Sequence, residues 1–351
     1  MTTIKPWPRP DQSAKAAGLW LVLVAAVVVA MVVVGGATRI TGSGLSITQW
    51  DLISGVFPPS SHSEWERVFG LYRATPQYRL VNSGMSLAQF KSIFWWEWGH
   101  RFLGRLLGVV FLAPFLILLA LKRLPRRLIW RCVQLFALGA LQGAVGWWMV
   151  QSGLEARTSV APERLAAHLS LALLLFVGLI WTALEAWFGQ RRLAGQGRSG
   201  WIWPSAVFAA AVYVQCLLGA LVAGNHAGLV DADWPLMGGR LIPSDYWRGS
   251  LWATVAHGTA AVQFNHRLWA YALLIAGACM VAASLRHRSR PLRPLIWLIG
   301  ALLAAQVALG VATLLLTVPF PLAMLHQFTA VSILAFATAL AWRARRILEV
   351  L

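Results

Sequence analysis

Apolar residues along this chain gather into eight long runs, near 17–36, 102–121, 132–150, 166–188, 204–223, 264–285, 295–317 and 322–342. A helix needs about 20 apolar residues to cross the hydrocarbon of a bilayer. Each run approaches or exceeds that length, and runs three, four and eight have the least sharply marked ends. The pattern predicts an all-α polytopic membrane protein with eight transmembrane helices. The opening MTTIKPWPRPDQSAK shows no small-residue cleavage site and is short and Pro-broken for a transit peptide, so it reads as a retained tail.

Polar and glycine positions within the runs repeat. Gly35, Gly44, Leu45 and Trp50 form G-x8-G-L-x4-W after the first run, and Gly219, Gly228, Leu229 and Trp234 repeat it at a constant offset of 184. Gln142 and Gly146 in run three match Gln306 and Gly310 in run seven as Q-x3-G. His100-Arg101 opens run two and His266-Arg267 opens run six, while His168 and His326 stand near the starts of runs four and eight. Four kinds of match in one order imply an internal duplication. Each copy holds an even number of spans, so both face the same way. A pseudo-two-fold axis along the membrane normal should relate them. The expected organisation is a tail (1–16), a four-helix half (17–188), a linker (189–203), a second four-helix half (204–342) and a tail (343–351). Each half should be a four-helix bundle with ligands projecting inward.

Composition agrees: the chain is 58% hydrophobic, with mean hydropathy +0.65. The net charge of +18 changes the picture only through its placement. Eighteen of the thirty Lys and Arg lie in the N-terminal tail, LKRLPRRLIWR, QRRLAGQGR, RHRSRPLR and RARR, against three acids. The other side carries twelve basic and nine acidic residues over longer loops. This is a positive-inside distribution with both termini cytoplasmic. A lipid-facing basic collar accounts for it, with no nucleic-acid partner. Of the outer loops, about 37–101 contains an amphipathic stretch, EWERVFGLYRATPQY, and about 224–263 is shorter. Cys132, Cys216 and Cys279 lie in or beside spans and form no disulfide or zinc pattern, so they read as packing residues.

The four repeated histidines carry the candidate chemistry. A lone histidine at a span end caps a helix or anchors it in polar headgroups. Two matched pairs instead suggest two bis-imidazole metal sites, His100 with His168 and His266 with His326. Zinc could use the same side chains, but no Cys or carboxylate completes a tetrahedral set in the second half. Haem needs only one or two axial ligands and an apolar slot. Arg101, Arg105 and Arg267 beside the first histidine of each pair suit haem propionates, or else snorkel to lipid phosphate. Glu97 precedes His100 by three residues, whereas Gln263 holds that place before His266. A carboxylate beside one site and an amide beside the other predicts one reactive and one auxiliary site. Alternatively, Glu97 merely favours a helix N-terminus. His62, His226, His257 and His287 have no repeat counterpart and read as surface residues.

GGATRITGSGLSITQWD, WWEWGHRFLGRLLG, RLAAHLSLALLLF, GALVAGNHAGLV with WPLMGGRLIP, FNHRLWAY and LHQFTAVSILAF span the chain from first run to last. Together they resemble the haem A synthase family, in its cysteine-lacking branch of proteobacteria and mitochondria. The NHAGLVDAD loop departs somewhat from that pattern. The resemblance implies an oxidoreductase of the bacterial inner membrane that converts the C8 methyl of haem O into the formyl of haem A for terminal oxidase assembly. It implies a haem b held by His266 and His326, and a substrate haem facing His100 and His168. Glu97 would be the carboxylate near the reacting porphyrin, for proton transfer or stabilising a cationic intermediate. Haem O synthase and oxidase assembly factors become candidate partners, in surrounding lipid, and a homo-oligomer is compatible. Two other readings use the same residues. One is a bis-histidine di-haem electron-transfer cytochrome without substrate chemistry. The other is a transporter, for which the spans offer almost no acids at depth.

Overall fold

The structure, a computed structural model, describes residues 12–51, 54–155, 157–189, 200–285 and 291–346. Ten α-helices order them: α1 Gln12–Ile40, α2 His62–Arg73, α3 Pro76–Leu80, α4 Leu87–Ala120, α5 Arg126–Leu154, α6 Pro162–Phe188, α7 Ile202–Gly224, α8 Thr259–Ser284, α9 Arg293–Leu315 and α10 Phe320–Ala344. All but α2 and α3 are long and apolar enough to span a membrane, making eight among the described residues. The described residues form no strand, only one isolated bridge between Met237 and Arg240. Most of the expected linker and both outermost tails lie outside the described residues, as does His287.

Local chemistry sets the ends that hydropathy misplaces. Run two should begin near 102, yet α4 begins at Leu87 because Ser86 and Gln89 form a capping box. Glu97 therefore lies about three turns inside a helix. This overturns the helix-start alternative for that residue, since its carboxylate is too far from the terminal N–H groups to feel them. The amphipathic stretch of the first outer loop breaks into α2 and α3. Ser61 and Glu64 box the start of α2, and Thr75 caps α3 with Pro76 at its first position. Trp65, Phe69 and Tyr72 of α2 bury themselves with Phe90, Ile93 and Phe94 of α4 as a small aromatic core of their own. This cap covers the extra turns of α4. Gln77 ties it down by donating from Nε2 to the Gly42 carbonyl at 2.9 Å.

Within the spans, Pro114 of α4 has no N–H for the carbonyl of Val110. The Trp20 indole of α1 donates to that carbonyl at 2.8 Å, satisfying it where no water would. In the N-terminal half α1 packs on α4 and α6, and α5 packs on α4 and α6. In the C-terminal half α7 packs on α8 and α10, and α9 packs on α8 and α10. The halves meet through α6 with α7, α1 with α10, and α6 with α10.

The contiguous buried core occupies one end of this assembly. It extends to Val32 of α1, Phe111 of α4, Leu135 of α5, Leu173 of α6, Val212 of α7, Leu273 of α8, Leu303 of α9 and Val331 of α10. Every repeated histidine lies just beyond that boundary, toward the outer loops. Tight apolar packing at one end thus leaves the other end of each bundle for something else.

Candidate functional site

Each of the four histidines packs against a glycine on the neighbouring helix. A Cβ added to Gly35 of α1 would stand 3.1 Å from Cε1 of His100, and one at Gly219 of α7 would stand 3.3 Å from that of His266. For Gly146 of α5 and His168 the distance is 2.8 Å, and for Gly310 of α9 and His326 it is 2.9 Å. The repeated glycines are therefore the floors on which the imidazoles lie, and any larger residue would push the rings away. His266 and His326 face each other with ring centroids 6.5 Å apart at 70°. His100 and His168 are close enough to interact electrostatically.

One turn before three of those glycines stands a glutamine. Gln142 donates from Nε2 to the His168 carbonyl at 2.9 Å, Gln215 to that of His266 at 3.1 Å, and Gln306 to that of His326 at 3.0 Å. The same amide nitrogens touch the rings. Gln142 Nε2 is 3.1 and 3.3 Å from the two nitrogens of His168, and Gln215 Nε2 is 3.1 and 3.4 Å from those of His266. An atom nearly equidistant from both nitrogens lies over the ring, not along either in-plane lone pair. Each imidazole keeps its coordinating edge. Q-x3-G is legible in runs three and seven, and Gln215-x3-Gly219 in run five carries the same signal. Run one breaks the series with Met31 four residues before Gly35.

The arginines and Glu97 hold the outer loops. Arg101 donates from Nη2 to the Ile47 carbonyl at 2.6 Å and from Nη1 to that of Gln49 at 2.8 Å. Arg267 donates to the Asp231 carbonyl at 2.9 Å and to that of Asp233 at 3.0 Å. Those carbonyls are related by the same offset of 184 as the glycine repeat. Arg267 also reaches the Leu236 carbonyl, and Arg105 the Asp51 carbonyl, at 3.0 and 2.7 Å. Glu97 is buried, and both its oxygens are engaged: Oε1 by Arg101 at 2.7 Å, Oε2 by the Ser46 hydroxyl at 2.8 Å and the Ile47 N–H at 2.9 Å. Gln263 instead donates to the Asp231 carbonyl at 3.1 Å, and its Oε1 is buried without a partner.

Two of the histidines expected at the surface also reach across the seam between the halves, His226 while staying exposed and His257 half-buried. Arg39, at the end of α1, bonds the carbonyls of Ala223 and Gly224 at 3.1 and 2.9 Å and the His226 ring at 2.6 Å. Burial, and then the Arg39 charge, push the His226 imidazole below its ordinary pKa. His257 approaches Glu163 at the start of α6 at 3.8 Å. His62 is exposed, as expected, with Glu66 3.9 Å away. A further link joins the halves beside the histidines: Gln327, next to His326, donates to the Val32 carbonyl of α1 at 2.9 Å, where a Cβ at Gly36 would overlap its amide.

Residues 18–338 match the family model described as Cytochrome oxidase assembly protein. A relative from Caulobacter vibrioides named Heme A synthase is 55% identical over 96% of this chain and 98% of its own length. The chain belongs to the haem A synthase family. Relatives of the same printed name from Caulobacter sp. and Parvibaculum lavamentivorans are 54% and 44% identical, over 96% and 97% of this chain and 98% and 96% of their own lengths. With eight apolar helices and bacterial relatives, this is a multi-pass inner-membrane protein.

The residues present fit a haem iron. A metal ion lies about 2 Å from a coordinating imidazole nitrogen and about 1 Å more from the ring centroid, so facing ligands need centroids about 6 Å apart. The His266–His326 separation of 6.5 Å meets that span. Two of the four rings also carry a buried nitrogen without a hydrogen-bond partner, Nδ1 of His100 and Nδ1 of His326. A tetrahedral centre would need three or four protein donors, and no three His, Cys, Asp or Glu side chains of the described residues gather to supply them.

Proposed function

We propose that this chain is a haem A synthase, oxidising the C8 methyl of haem O to the formyl of haem A. The observation that carries this reading is the facing His266–His326 pair at 6.5 Å in a chain 55% identical to a relative of that name. His266 and His326 hold a haem b, with the Gln215 and Gln306 amides packed against their rings and bonded to their backbone carbonyls. His100 and His168 face the substrate haem in the N-terminal half. Bound there, haem iron supplies the redox chemistry that removes hydrogen from the methyl group and admits oxygen.

The protein's own groups orient and screen. Gly35 and Gly146 set the depth of the imidazoles, and the cap of α2 and α3 keeps water from the outer end of α4. Glu97 places a negative charge beside this site alone. Because Arg101, Ser46 and Ile47 already engage both its oxygens, charge stabilisation suits it better than carrying a proton. Arg101, Arg105 and Arg267 clamp the loops over the two sites, and their positive charge would suit the haem propionates. The matching helix neighbours in the two halves support a pseudo-two-fold axis along the membrane normal. The basic collar supports an orientation with both termini in the cytoplasm. Haem O synthase and oxidase assembly factors are the partners this role implies, and it leaves room for a homo-oligomer.

Pigment extraction from the purified protein tests this. Haem b together with haem O or haem A is the expected yield, whereas a di-haem electron carrier would give two permanent b haems. His266→Ala should lose haem b, and His100→Ala should keep haem b but make no haem A. Loss of haem b from His100→Ala alone would reverse the assignment of the halves.

A further inference from the structure

The four histidines are not held alike. Three have a glutamine one turn before the glycine beneath them, and that amide grips the histidine's own carbonyl at 2.9 to 3.1 Å. His100 has Met31 there instead. A thioether cannot donate to a carbonyl and is only a weak acceptor for an imidazole N–H. Nδ1 of His100 is buried with no partner, but so is Nδ1 of His326, so the difference lies in the amide grip on the carbonyl. The methyl of Met31 lies along α4, 3.5 Å from where a Cβ on Gly104 would stand, so this side chain packs without gripping.

We propose that Gln142, Gln215 and Gln306 lock His168, His266 and His326 as fixed ligands, and that Met31 leaves His100 as the one releasable histidine. This rests on the haem reading above and deepens it. The C-terminal site, with two glutamines, holds its haem b through every turnover. The N-terminal site, with one, grips its haem from the His168 side and lets go from the His100 side. That asymmetry suits a site whose haem enters as substrate and must leave as product. Gln142, Gln215, Gln306 and Met31 act through the histidines and are positioning residues. Partners of this kind change metal affinity by about 10- to 100-fold.

Haem transfer from the purified full-length protein, loaded with iron protoporphyrin, to excess apomyoglobin reads the difference by absorbance. The wild-type chain should release haem in a fast phase, from the N-terminal half, and a slow one. Met31→Gln should slow the fast phase by about tenfold or more while leaving the slow phase alone. Gln215→Met should speed the slow phase by a similar factor. A fast phase unchanged by Met31→Gln, in protein that still holds its slow haem, overturns the proposal. If Met31→Gln does not fold, an unchanged slow phase in Gln215→Met overturns it instead. A wild-type chain that retains no haem in either phase would sink the haem reading itself, a separate result.

Discussion

In the N-terminal half the loop after α1 is gripped by an ion pair, and in the C-terminal half the equivalent loop is gripped by an amide. Arg101 and Arg267 perform the same task on carbonyls related by the repeat, Ile47 with Asp231 and Gln49 with Asp233. Glu97 and Gln263 then diverge. Glu97 accepts from the Ile47 N–H, whereas Gln263 donates to the Asp231 carbonyl. The two regions thus share the clamp on the backbone and differ in the charge beside it. A buried carboxylate with three donors rigidifies its loop and sets a local field. A buried amide only closes a loop.

The largest effect should come from removing that charge. Glu97→Ala strands a largely buried Arg101 and should cost about 3–5 kcal/mol, with haem A formation abolished. Thermal melting and pigment analysis of membranes would check both, and a stable, active variant would erase the distinction between the halves. Glu97→Gln sharpens it, because its Oε1 can still accept from Ser46 or Ile47; folding should survive while haem A formation falls.

Making the halves more alike from the other side should cost less. Gln263→Glu turns a donor facing the Asp231 carbonyl into an acceptor, so about 1–3 kcal/mol of stability should go. Haem b content measured beside stability would show whether Arg267 rescues the new carboxylate; unchanged melting would mean that it does. The glycine floors come next. Gly146→Ala and Gly310→Ala, whose Cβ atoms would come within 2.8 and 2.9 Å of a histidine, should disturb haem absorbance more than Gly35→Ala and Gly219→Ala, at 3.1 and 3.3 Å. Overpacking of this kind costs about 1–3 kcal/mol. An equal response from all four would show that the rings yield freely.

The smallest effect concerns the seam. The folded state disfavours protonated His226, because burial and Arg39 depress its pKa. The unfolded chain takes up that proton near pH 6.5, so stability should fall as pH drops below about 6.5. His226→Gln should flatten the melting temperature between pH 7.5 and 5.5. A slope unaltered by the substitution would exclude His226 as its source.

Much of this was legible in the residues. Hydropathy marked all eight spans because lipid imposes a length and a polarity that any sequence must meet. It failed at α4, where FWWEW mixes aromatic and charged residues and so carries no clear apolar run, although Ser86-x-x-Gln89 marked the true start. The aromatic core of α2 with α4 stayed hidden for a related reason. Its members lie on two helices separated by a turn, and an amphipathic pattern does not name what it packs against.

Sequence alone determined the span number, the repeat, the four histidines and the Glu97–Gln263 difference, since each follows from residue type and spacing. Tertiary structure alone decided what those residues hold. The carbonyls clamped by Arg101 and Arg267, the glycines beneath the histidines and the glutamines over their rings belong to other segments. Which backbone group meets which side chain across tens of residues depends on helix packing and loop path, and no local pattern encodes that distance.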